Sequence, residues 1–211
     1  MKKTFYLLYL LSAIVFVIAY YTENFIVTTI AKPIPVLLLI VLVRKNTSYN
    51  KLVTLALIFS LMGDILLLKT VDLFLFGLVS FLIAHVFYII AFTQKLNKPR
   101  LISGLPFFAY GATIFIFLKP SLGDMMIPVA FYILIITVML WRSFVQRNSG
   151  SVAKWAFIGA LVFTVSDSII AIYRFYEPFF LDRFFTITTY WTAQFLIYLS
   201  TLDNSQRVKS T

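Results

Sequence analysis

The chain of 211 residues contains no cysteine and a single histidine. Disulfides and thiol chemistry are therefore excluded. One His85 cannot build a multi-histidine metal cage or a bis-histidine haem within one chain, so no metal or organic cofactor is expected. Charge is also scarce. Only 12% of residues are charged and eight are acidic, against about a quarter charged in an ordinary globular domain. What fills the chain instead is apolar: 61% of residues are hydrophobic and the mean hydropathy is +0.95. Such a chain is read against the bilayer first. Its net charge of +10 points to loops on the cytoplasmic side of a polytopic protein, and no nucleic-acid partner is expected.

A transmembrane helix needs about 20 mostly apolar residues. Eight windows qualify, at about 4–21, 25–43, 52–68, 71–92, 101–118, 125–143, 152–174 and 184–202. The opening "MKKTFYLLYLLSAIVFVIAY" resembles a signal peptide, but its apolar run is long and no small-residue cleavage site follows, so it reads as the first span. The expected fold is all-α: one domain over 1–211, a bundle of eight transmembrane helices. Loop charge gives the direction. Of the 18 Lys and Arg, Lys32 lies within a span, and Lys69, Lys119, Arg174 and Arg183 fall on the side opposite the N-terminus. The other 13 share its side: Lys2, Lys3, Arg44, Lys45, Lys51, Lys95, Lys98, Arg100, Arg142, Arg147, Lys154, Arg207 and Lys209. The positive-inside rule then puts both termini in the cytoplasm, in a bacterial inner membrane. The oligomeric state is not written in the sequence.

Against this background a few polar residues stand out. "FSLMGDILLL" puts Asp64 among apolar neighbours, and "FTVSDSIIAI" does the same with Asp167. A charge at bilayer depth costs several kcal/mol, so it is expected to face a protein interior or a wet cavity. The third and seventh spans run outward and the second runs inward. That direction puts Asp64, Asp167 and Lys32 in one layer nearer the outer face. Arg174 follows Asp167 by two turns on the same side of its helix. The last helix carries Thr186, Tyr190, Gln194 and Tyr198 at spacings of four, a polar stripe. His85 and Tyr88 share a face of the fourth, deeper in the bundle. "ALIFSLMGD" and "ALVFTVSD" are alike and fall in the third helix of each four-helix half, as in parallel-repeat membrane folds. A structural Asp64–Lys32 ion pair and a merely packed His85 are the competing readings. The convergence of acids, lysine, histidine and amide on five separate helices favours a site.

These same segments resemble the YhhN-like family of integral-membrane lysoplasmalogenases. "AKPIPVLLL" is similar to its lysine-proline helix, "FSLMGDILL" to its glycine-aspartate motif and "FGLVSFLIAHVFYIIAF" to its histidine helix. "GALVFTVSDSIIAIYRF" is similar to its serine-aspartate helix and "TTYWTAQFLIYLS" to its final glutamine helix. The five stand in family order. The resemblance implies a hydrolase that cleaves the vinyl-ether bond of lysoplasmalogen-type lysolipids, with membrane lipids around it. It gives Lys32, Asp64, His85, Tyr88, Asp167, Arg174, Tyr190 and Gln194 the family's polar places.

Vinyl-ether hydrolysis needs a proton on a carbon of the double bond, then water on the resulting oxocarbenium ion. Two carboxyls can supply both steps, as in glycosidases. Asp64 and Asp167 are the expected catalytic pair, and the sequence does not assign which is acid and which is base. Lys32 would provide counter-charge. His85, Tyr190 and Gln194 would orient water or headgroup, with Tyr88 in support, and Arg174 would hold the lipid phosphate. The same residues suit two rival readings: a small proton-coupled transporter, or a lipid-binding membrane protein without turnover.

Overall fold

The computed structural model describes residues 2–68, 71, 73–94, 101–179 and 181–202. The loop cations Lys69, Lys95, Lys98, Arg100, Arg207 and Lys209 lie outside the described residues. All regular structure within them is helical. The order is α1 (Lys2–Tyr21), α2 (Phe25–Ala31), α3 (Ile34–Leu42), α4 (Ser48–Leu66), α5 (Phe74–Thr93), α6 (Leu105–Leu118), α7 (Met126–Gln146), α8 (Ala153–Phe175) and α9 (Asp182–Leu199), with short 3₁₀ turns before α6, between α6 and α7, and after α9.

Seven segments are long and apolar enough to cross a membrane, with α2 and α3 counted as one broken span. The expected eighth, α9, has 18 residues but is not among them. The cause is its own composition: Asp182, Arg183, the four threonines after them and Gln194 dilute its apolar residues. The break in the second span falls at Lys32–Pro33. Proline offers no N–H and its ring clashes with the preceding turn, so α2 stops and α3 restarts at Ile34. Asn24 caps α2 by accepting from the Val27 N–H at 3.1 Å, and Thr47 caps α4 by accepting from the Asn50 N–H at 3.1 Å. The Asn50 amide also donates to the carbonyls of Arg44 and Thr201, which ties the start of α4 to the chain beyond α9.

Polarity is inverted relative to a water-soluble bundle. Leu10, Ile14, Ile26, Ile102 and Ile116 are exposed, while Asn50, Asp64, His85, Gln146 and Gln194 are buried. This is the arrangement a hydrocarbon surround favours, because each polar group must find its partner inside the protein.

Two helix pairs pack most extensively, α4 on α5 and α8 on α9. Glycine permits both approaches. A Cβ at Gly159 would sit 2.9 Å from the carbonyl of Ala193 and the N–H of Ile197, backbone against backbone. A Cβ at Gly63 would meet the Phe81 ring at 2.6 Å. Asp64 is therefore carried next to the tightest point of the α4–α5 contact, and Asp167 rides on the helix that α9 presses against.

Candidate active site

Each acid is held by side chains of other helices. On α4, Asp64 is buried, and its Oδ2 accepts from the Tyr190 hydroxyl of α9 at 2.7 Å. On α8, the Asp167 Oδ2 accepts from the Tyr132 hydroxyl of α7 at 2.5 Å and lies 3.2 Å from Nε2 of His85 on α5. Tyr132 and His85 also meet each other, hydroxyl to Nε2, at 3.0 Å. Both partners of Asp167 converge on one oxygen. Among the described residues no hydrogen bond is made to its Oδ1, and the side chain keeps 11% of its surface exposed. A carboxyl gripped through one oxygen has a fixed rotamer and a second oxygen free for a ligand.

Lys32 reaches the same place from the α2–α3 break. Its ammonium donates to the backbone carbonyl of Asp64 at 3.1 Å. Asp64 and Lys32 are not within ion-pair distance, and the single carboxylate contact of that kind among the described residues joins His85 to Asp167. The structural ion pair considered from sequence is thus replaced by a lysine bound to main chain. Pro33 explains the reach, since the helix break sets Lys32 at the end of α2.

Lys32, Asp64, Asp167, Arg174 and Tyr190 line one cavity of about 700 Å³. Its rim is formed by the α1–α2 connection with Glu23, the C-terminal ends of α4 and α8, and the first turn of α9 with Arg183. Phe81 and Tyr190 line the cavity and pack edge to face with each other and with the fully buried Phe163, centroids 5.5–6.4 Å apart. A second, narrow cavity runs between α6, α7 and α8, lined by Ile114, Val129, Ile133, Ile136 and Ala171 among others. The two share Leu67, Phe74, Phe81, Ile170 and Asp167 in their walls, and of these only Asp167 is polar. Asp167 therefore stands where a large, partly polar chamber meets an apolar slot.

Not every expected residue faces the chamber. His85 is fully buried and contacts Asp167 from behind, with its ring 4.8 Å from that of Phe163. Tyr88 and Gln194 are fully buried too, and the Tyr88 hydroxyl donates to the Gln194 Oε1 at 2.6 Å. They form a buried strut joining α5 to α9.

Two residues escaped the sequence reading. Tyr132 sits in the N-terminal half of α7, which has no charged residue; the available signal was its place at helical spacing with Val129, Ile136 and Leu140, which form a buried stripe. Arg183 read only as a loop charge, yet it lies in the first turn of α9 and faces the chamber. Among the described residues no group of three or more His, Cys, Asp or Glu is placed to hold a metal ion.

Comparison with known proteins adds the following. The sequence model of the YhhN family matches residues 27–201. The chain is 38% identical over 154 residues to the lysoplasmalogenase TMEM86B of Homo sapiens, covering 73% of this chain and 65% of that protein. It is 35% identical over 181 residues to the Mus musculus TMEM86B, covering 84% and 76%. It is 32% identical over 160 residues to the lysoplasmalogenase TMEM86A of Homo sapiens, covering 72% and 66%. The chain thus spans just under two thirds of the human TMEM86B. No solved structure matches.

Proposed function

Since the chain belongs to the YhhN family, we propose that it is an integral-membrane hydrolase of lysoplasmalogen-type lysolipids. It cleaves the vinyl-ether bond to a fatty aldehyde and a glycerophospho-base, with Asp64 and Asp167 as the acid/base pair. One observation carries this reading: Asp167 stands at the junction of an ionic chamber and an apolar slot, with Asp64 and Lys32 in the same chamber wall. A lysolipid has the same division, and its vinyl-ether bond lies at the junction of headgroup and chain.

The steps follow from that placement. The chain enters the slot and the headgroup lies in the chamber. Asp167, held through Oδ2 by Tyr132 and His85, takes the acid's role and gives a proton to the vinyl carbon one removed from oxygen. The adjacent carbon becomes an oxocarbenium centre. Asp64, oriented by Tyr190, takes the base's role and accepts a proton from the water that attacks that centre. The hemiacetal then collapses. Asp64 returns its proton to the departing glycerol oxygen, and Asp167 recovers one from the hemiacetal hydroxyl. Both acids end as they began, so the cycle needs no other reactant than water. Lys32 places positive charge beside Asp64, near the developing anionic character of the leaving oxygen. Tyr88 and Gln194 support the site by fixing α5 against α9, and Arg174 lies where a lipid phosphate passes the rim.

The test is a substrate panel on purified protein in detergent. A 1-alkenyl lysophospholipid should release aldehyde, and its saturated 1-alkyl analogue should not react, because it has no double bond to protonate. Release of fatty acid from a 1-acyl analogue, or silence toward all three by folded protein, would defeat the reading. Solute movement across sealed liposomes in the absence of turnover would support the carrier instead.

A further inference from the structure

The rim of the chamber holds a cation whose hydrogen bonds are incomplete. Arg183, in the first turn of α9, lies over the ring of Tyr173 with its guanidinium carbon 4.6 Å from the centroid. One Nη2 donates to the Tyr173 hydroxyl at 3.1 Å. Its Nε is buried and has no hydrogen-bond partner among the described residues. No carboxylate there is within ion-pair distance of it, although Glu23, Asp64 and Asp167 line the same chamber. Arg174, next to Tyr173, also faces the chamber, with its guanidinium 4.7 Å from the Phe74 ring.

A buried N–H donor without an acceptor costs free energy that a ligand oxygen restores. A guanidinium held by a ring and its hydroxyl keeps its fork in place, and that fork matches two oxygens of a phosphate. Arg183 precedes Tyr190, which holds Asp64, by about two turns of α9, so a phosphate seated at the rim leaves the rest of the lipid to run inward toward the acids.

We propose that Arg183, seated on Tyr173, is the phosphate anchor of the chamber and fixes how deep a phosphodiester lysolipid enters. Arg174 is the second cation of this rim. The inference rests on the reading of the chamber as a lysolipid site, and it adds a specificity residue: phosphate-bearing lipids are selected over neutral ones at Arg183.

Binding is the readout, so that it stands apart from turnover. The probes are a non-hydrolysable 1-alkyl-glycero-3-phosphocholine, the matching 1-alkylglycerol and inorganic phosphate, titrated against full-length protein in detergent. Arg183→Gln should weaken the phospholipid by about tenfold or more and leave the alkylglycerol within about twofold. Arg183→Lys should recover only part of the loss, because a point charge cannot replace the fork. Tyr173→Phe keeps the stack and should give a smaller loss than Arg183→Gln. Equal weakening of both lipids would mean a structural arginine and would overturn the proposal, as would an unchanged phospholipid affinity. Inorganic phosphate binding as tightly as the phospholipid would also overturn it, in favour of a free-phosphate seat. Arg183-dependent binding in a protein that releases no aldehyde would leave the anchor standing and bring down the reaction instead.

Discussion

Tyr132 and Tyr190 do parallel work at the two acids: each gives its hydroxyl to one Oδ2 and leaves the other carboxylate oxygen for substrate or water. Tyr132→Phe removes the bond at 2.5 Å and keeps the ring beside His85. Losing a hydrogen bond to a charged or reacting group costs about 1–3 kcal/mol, so turnover should fall by about ten- to a hundredfold with the melting temperature nearly unchanged. A steady-state rate equal to the parent would remove Tyr132 from the site. Gln194→Leu should behave in the opposite way. It strands the Tyr88 hydroxyl in a fully buried position, so thermal stability should drop by an amount equivalent to about 1–3 kcal/mol. A melting curve superimposable on the parent's would contradict the strut. At this scale the sequence exposes what contrasts with its surroundings. Asp64, Asp167, Lys32 and His85 interrupt apolar runs and were legible at once. Tyr132 is one of 12 tyrosines and differs from a packing residue only through the partner it meets.

Helices carry the site through two devices, a break and two close approaches. The break at Lys32–Pro33 lets the Lys32 ammonium reach the Asp64 carbonyl at 3.1 Å. The close approach of α8 and α9 depends on Gly159, whose Cβ would strike the backbone of both Ala193 and Ile197 at 2.9 Å. Backbone cannot rotate aside, so Gly159→Ala should destabilise by about 1–3 kcal/mol and loosen the Tyr190 hold on Asp64. Thermal melting in detergent checks it; a variant as stable as the parent would show that α9 shifts freely. Element positions were largely legible because apolar length is a strong signal. The window 184–202 located α9 (Asp182–Leu199) as well, although the polar stripe it carries lowers its hydropathy below that of the other spans. Its role emerges only when Tyr190 and Gln194 are seen to meet Asp64 and Tyr88 from across the bundle.

Over the whole molecule, the chamber opens at the end where α1 meets α2, α4 meets α5 and α8 meets α9. We propose from the loop cations that both termini are cytoplasmic, which would turn that end away from the cytoplasm. The absence of native cysteine makes this directly measurable. A single Asp124→Cys should react with an impermeant maleimide added outside intact cells, and Ser151→Cys should react only after the cells are opened. The reverse pattern would invert the topology and the leaflet from which lipid enters. The central claim is proton delivery to carbon by a pair of intramembrane aspartates. Its most direct test is the mass of the aldehyde released from a 1-alkenyl lysophospholipid in D₂O by the parent protein, beside Asp64→Asn and Asp167→Asn variants of confirmed fold. Proton delivery by the aspartate pair should leave one deuterium on the carbon next to the aldehyde group and should be lost, with turnover, in both variants. Aldehyde without solvent deuterium at that carbon, or full turnover in either variant, would contradict it.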